Sequence, residues 1–181
     1  MSLYRFSPIE NHAQLLEAIE HIHIACYELC KQSFGKYLPN AGNIGVFCHY
    51  EEEYEMLTKL REELTESSEN PNQKYFRLHT PIIIPAKGDI PETVYTYLYI
   101  RKPDPYRAQV GDVDFYLEPE KYVDLKQLVE DGGIKGARLF PRSDLDMIEL
   151  YNPDIDALAY VGTSKMAEKV RQKTNLMSIE Q

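Results

Sequence analysis

The chain has 181 residues, enough for one domain with a substantial core or at most two small ones. Apolar residues make up 43% and charged residues 27%, an ordinary globular balance, and no apolar run approaches the roughly 20 residues that span a bilayer. The formal net charge is −9 with no basic stripe, which argues against nucleic acid and anionic membrane as partners.

Met1 to Phe6 lacks the basic and apolar regions of a signal peptide, so a cytoplasmic location is the default expectation. Ser7-Pro8-Ile9-Glu10 has the form of a capping box with proline at the first helical position. Leu15, Leu16, Ile19, Ile22, Cys26, Leu29 and Cys30 then recur at helical spacing, and Gly35 and Pro39 end the pattern. The expected helix covers about 8–34. On it His21 and His23 point about 200° apart, too divergent to chelate one metal, and read as surface or boundary histidines. Cys26 and Cys30 share a helical face and read as buried thiols; a redox or metal pair is the lesser alternative. Three cysteines are too few for a disulfide framework.

Ile44 to Cys48 is strand-like, and Glu51 to Glu66 is helical, with Tyr54, Leu57, Leu60 and Leu64 as its apolar stripe. Tyr75 to Leu78 and Pro81 to Pro85 bracket two short apolar runs. Thr93 to Arg101 alternates as a strand should. After Pro103-Asp104-Pro105 comes a strand over 110–117. Then follow a helix over 119–130 and short strands at 137–140, 146–151 and 157–161. A polar stretch from Ser164 is expected to be a frayed helix or tail.

The order strand, helix, strand, strand, strand thus occurs twice, over 43–101 and 110–161. The letters echo as well: Phe47-Cys48-His49-Tyr50-Glu51 aligns with Phe115-Tyr116-Leu117-Glu118-Pro119. The fold class is α+β. The expected organisation is a helical segment (1–42), a paired domain (43–163, modules 43–102 and 108–163) and a tail (164–181). A module of this kind covers one sheet face with its helix, so two modules sharing their bare faces enclose a cavity.

The segments Asn43-Ile44-Gly45-Val46-Phe47-Cys48-His49, Phe76-Arg77-Leu78-His79-Thr80-Pro81-Ile82 and Asp112-Val113-Asp114-Phe115-Tyr116-Leu117 resemble the vicinal oxygen chelate superfamily, which includes glyoxalase I and extradiol dioxygenases. The chain looks closest to the YecM-like metal-binding branch. The resemblance implies a curved sheet around an inter-module cavity, preceded by a helical segment. It also implies a Zn, Fe, Mn or Ni site with one ligand near the start of each module's first strand. Asn43 and Asp112 stand where members of the superfamily often carry histidine.

Strand parity selects the cavity face. Val113, Phe115 and Leu117 suit the helix side, which turns Asp112, Asp114 and Tyr116 the other way. Tyr95, Tyr97, Tyr99 and Arg101 line up as a candidate ligand wall; an aromatic ladder on a half-solvated sheet is the structural alternative. The ligand-binding candidates are Asn43, Arg77, Tyr97, Tyr99, Arg101 and Asp114. The catalytic candidates are Asp112 and Glu149; Asp112 and Asp114, two carboxylates on one strand face, could instead supply a general base, with solvated or arginine-paired aspartates as the structural alternative. The candidate metal set is His79, Asp112 and Glu149. Two functions follow: a metal-dependent lyase or isomerase acting on a small anionic or oxygen-rich molecule, or a small-ligand-binding protein that has lost the metal. An interaction module and a homodimer also remain open.

Overall fold

The computed structural model describes residues 6–142 and 145–172. The signal-peptide reading of the first residues and the last part of the expected tail lie outside them. The elements in chain order are α1 (His12–Phe34), β1 (Asn40–Phe47), α2 (Glu51–Leu64), β2 (Phe76–Ile84), β3 (Thr93–Arg101) and β4 (Gly111–Tyr116). Then come α3 (Pro119–Glu130), β5 (Ala137–Arg142), β6 (Leu145–Leu150), β7 (Leu158–Gly162) and α4 (Ser164–Lys169). None of the described helices is long and apolar enough to cross a membrane.

The seven strands form one sheet in the order β2-β3-β1-β4-β7-β6-β5. Each half repeats one pattern. β1 runs parallel to β3 and β4 parallel to β7, and the halves meet where β1 and β4 pair antiparallel. This is the expected pairing of two modules within one α+β sheet. In the first module the two apolar runs between 76 and 84 are continuous as β2, with a register shift between Arg77 and Ile82. Pro81 lies in that shift and has no N–H to give to the ladder.

The letter echo was misaligned by one position. Phe47 packs on one face of the sheet and Phe115 on the other. The strand pairings instead make Asn43 and Gly45 the counterparts of Asp112 and Asp114: Asn43 faces Tyr97 and Gly45 faces Tyr99, as Asp112 faces Leu158 and Asp114 faces Tyr160.

The main core lies between the sheet and α1, α2 and α3. Ile44, Val46, Val113, Phe115, Ile148 and Val161 meet Leu15, Ile19, Ile22 and Leu29 of α1 there. Helix α1 starts later than its sequence suggests. Asn11, not Ser7, is its cap, and its side chain accepts from the Gln14 N–H at 2.9 Å. Ser7 is drawn away by the buried Glu53 carboxylate, 3.2 Å from its hydroxyl. Glu53 also accepts from the backbone N–H groups of Ile9 and His49, so one carboxylate fixes the chain ahead of α1.

His23 is fully buried rather than at the boundary, and its Nδ1 lies 2.7 Å from the Tyr95 hydroxyl. His21 pairs with Asp156 at 2.6 Å. All three cysteines are buried and unpaired by disulfides. Burial raises each thiol above its ordinary value, Cys30 to about 11. The thiolate is the reactive form, so the folded protein should resist iodoacetamide at pH 8. Rapid alkylation of any of the three, followed by intact mass, would contradict this packing.

Candidate functional site

The sheet face away from α1 carries the second core: Phe47, Tyr75, Met147, Leu158, Tyr160 and Val170, with Tyr97, Tyr99 and Phe140 against it. Of the nine side chains expected on the cavity wall, eight have this parity; the eighth, Arg77, stands opposite Tyr97 but at the exposed sheet edge. Asn43, Asp112, Asp114 and Glu149 are buried among them, at 0%, 7%, 2% and 1% exposure. A charged group so enclosed has to be paired, and the partners are visible.

A polar row runs across six strands. Tyr97 faces Asn43, the Asn43 amide donates to Asp114 Oδ2 at 2.9 Å, Asp114 faces Tyr160, Tyr160 faces Glu149, and Glu149 faces Arg138. The last three are closed by hydrogen bonds: the Tyr160 hydroxyl donates to Glu149 Oε2 at 2.9 Å and Arg138 Nε to Oε1 at 2.7 Å. Glu149 is thereby held on both oxygens. Its role here is to anchor the β5–β6–β7 end, and it is poorly placed to take up a substrate proton.

One step along the strands, Gly45 lies between Tyr99 and Asp112. A side chain at 45 would run into the Asp112 carboxylate, whose Cγ would lie 3.2 Å from the added carbon. The missing side chain is what lets Asp112 lean across β1. The Tyr75 hydroxyl donates to both its oxygens, at 3.2 and 3.4 Å. A further step along, the Arg101 guanidinium stacks on the Phe47 ring at 3.6 Å. Its Nε and Nη2 are buried and meet no hydrogen-bond partner among the described residues. Burial lowers its pKa from the ordinary value, and the nearby Asp112 carboxylate acts in the opposite direction.

Four expectations do not hold as made. Arg77 and His79 are exposed on β2, the edge strand, away from the buried carboxylates. The set His79, Asp112 and Glu149 is therefore not assembled. Among the described residues, no three His, Cys, Asp or Glu side chains converge as metal ligands. The face does not fit the metal that the resemblance implies: its carboxylates are engaged by tyrosine hydroxyls, an asparagine amide and arginine. Tyr95 does not join Tyr97 and Tyr99. The side-chain parity of β3 changes between Tyr95 and Leu98, opposite the β2 shift, and Tyr95 turns to the core with His23. The polar tail is also not frayed over its described part, since α4 and Arg171 lie on this face.

Sequence reasoning missed Tyr75, Arg138, Tyr160 and Arg171. Arg138 and Tyr160 were legible as the cross-strand neighbours of Glu149 once the β5–β6–β7 register is drawn. Tyr75 alternates with Phe76 in the same set as Arg77 and was legible on that ground, whereas Arg171 reaches the face from outside the sheet and left no periodic signal. A separate apolar groove of about 600 Å³ lies between α1 and β2, lined by Leu16, Ile19, Leu78 and Ile82, and no buried charge enters it.

No family model matches the sequence, and no curated protein matches it. A solved structure titled as structural-genomics protein EC4020 is similar over 93% of this chain and 98% of its own, at 16% identity and a TM-score of 0.55. Two structures of Streptomyces coelicolor methylmalonyl-CoA epimerase variants in complex with 2-nitronate-propionyl-CoA cover 69% of this chain and 98% of theirs. Their identities are 15% and 16%, each with a TM-score of 0.31. At such identities the likeness to the first structure is one of fold alone: here a mixed α+β protein with an N-terminal helix and a seven-stranded open sheet.

Proposed function

We propose that this protein binds a small, oxygen-rich anion on the sheet face opposite α1, between the two modules, with Arg101 as the anchor. One observation carries the reading: a buried guanidinium has two N–H groups unmet. Leaving such donors unpaired costs about 1–3 kcal/mol, and a bidentate carboxylate would meet them in the planar fork that arginine offers. Phe47 fixes the plane of the guanidinium. Tyr99, opposite Gly45 in the ladder, gives the ligand body a ring surface to lie on. No part of this recognition is routed through a metal. The segments named for the resemblance suit the YecM-like branch, and the proposal includes that placement.

The test is calorimetric titration with small carboxylates (glyoxylate, malonate, 2-hydroxybutyrate) and with inorganic phosphate. Arg101→Ala is expected to weaken the best binder by roughly 30-fold, the loss of a charge-assisted pair. Equal affinity in the two proteins would sink the reading.

A second reading rests on Asp112. Its carboxylate accepts from the Tyr75 hydroxyl and acts on the nearby Arg101 charge, a setting in which it could take a proton from the carbon next to a bound carboxylate, as an isomerase or lyase requires. Proton NMR in D2O separates the two. Asp112→Asn should abolish exchange of the α-proton of a bound acid if Asp112 is a base. Wild-type protein that binds the acid without any exchange is a binder.

A further inference from the structure

The last described residues lie across the functional face. Ala167 of α4 is buried, as is Val170 just beyond it, while Ser164, Lys165, Glu168 and Lys169 are exposed. The polar ties centre on one residue. The Asn43 amide donates to the Ala167 carbonyl at 2.9 Å as well as to Asp114, and its Oδ1 accepts from Arg171 Nε at 3.0 Å. The Arg171 guanidinium lies over the Tyr97 ring at 3.7 Å. The Arg171 carbonyl then accepts from the N–H groups of Lys74 and Tyr75, and Gln172 bridges to Gln73.

We propose that Asn43, Tyr97 and Asp114 form a guanidinium-recognition subsite that the chain fills with its own Arg171, so that residues 164–172 are a strap that a free guanidinium compound displaces. The chemistry is selective. The aromatic face takes a flat, weakly hydrated cation, the asparagine oxygen takes an N–H in the plane of that cation, and the Asp114 carboxylate hydrogen-bonded to that asparagine supplies negative charge. A round ammonium satisfies only the charge. The attachment is also shallow. A six-residue helix held by Met166, Ala167, the adjoining Val170 and a few hydrogen bonds belongs to the part of a fold that opens first. Its base is the Gly162-Thr163 junction, where Thr163 caps α4. Opening would bare Asn43, Asp114 and Tyr97 on the same face as Arg101. The inference does not depend on what Arg101 binds.

The experiment is hydrogen–deuterium exchange of the full chain with ethylguanidinium chloride or ethylammonium chloride at equal millimolar concentration. Ethylguanidinium alone is expected to speed exchange over 164–172 several-fold. Arg171→Ala removes the competing side chain, so it should bind ethylguanidinium at least about tenfold more tightly than wild type and still discriminate against ethylammonium. Adding Tyr97→Leu to that variant should abolish the difference. Two results would overturn the proposal: no preference for guanidinium in Arg171→Ala, or guanidinium binding to that variant while the wild-type strap exchanges no faster, which makes Arg171 a fixed anchor. If Arg171→Ala fails to fold, Arg171→Lys supplies the second arm and the wild-type exchange stands alone.

Discussion

Stability is expected to fall by on the order of 3 kcal/mol between pH 6.5 and about 4 on account of His23 alone. Burial against Tyr27 and Tyr95 drives its pKa from 6.5 down to about 4. The hydrogen bonds explain why the neutral ring suits the site. Asn40 Nδ2 donates to the Tyr95 oxygen at 3.2 Å, which leaves the Tyr95 proton to point at His23 Nδ1. A proton on Nδ1 would meet that proton head-on. The sign follows from linkage. The unfolded chain takes up the proton below pH 6.5 and the folded chain does not until about 4, so the unfolded state gains over that window. The stabilisation is complete above 6.5 and gone below 4. Urea unfolding at half-unit pH steps checks this. His23→Asn keeps an acceptor near Nδ1 and cannot charge, so its difference from wild type should flatten the acid limb by that amount. Parallel limbs in the two proteins would mean that His23 titrates normally.

The same residue shows where the sequence stops being informative. A histidine between Ile22 and Ile24 carries no mark of the Tyr95 hydroxyl 72 positions away. Tyr95 itself looks like the first member of a Tyr-x-Tyr-x-Tyr face, and alternation is the correct rule for a regular strand. What breaks the rule is on the neighbouring strand, at Pro81, and a register shift in one strand cannot be read from the letters of another. The helices were legible because burial imposes a period on them: α2 and α3 start where their acidic and proline signals put them. Asp112, Asp114, Asn43 and Glu149 were legible as one face for the same reason. Their partners were not. Alternation gives Tyr75 the right side but not its reach to Asp112, and Arg171 follows a short polar helix, a path that periodicity does not encode. His79 was drawn toward a metal by strand parity and by the ligand set that the resemblance implies. Its place on the edge strand follows from a sheet order that only the coordinates give.

Gly111→Ala is expected to destabilise the protein by about 3 kcal/mol, at the upper end for overpacking, and to lower Tm by about 10 °C for a domain of this size. Helix α1 crosses the β1–β4 seam at Gly111. A methyl group there would press on the Gly45 carbonyl and on Ile22 Cδ1, both far inside contact distance, with Ile22 Cγ1 at 2.8 Å. Ile22 is buried in the main core and has little freedom to move aside, and the Gly45 carbonyl is backbone within β1. Relief must therefore come from lifting α1 or from shifting β1. A shift of β1 moves Gly45, over which Asp112 leans, and Phe47, on which Arg101 stacks, so damage on the helical face passes through one strand to the proposed anion site behind it. Two measurements check the account. Circular-dichroism melting gives the Tm, and adding Ile22→Ala should restore only part of it, because the clash with the Gly45 carbonyl remains. Full restoration by Ile22→Ala would place the whole cost on α1 packing and remove the link from the helix seam to Asp112 and Arg101.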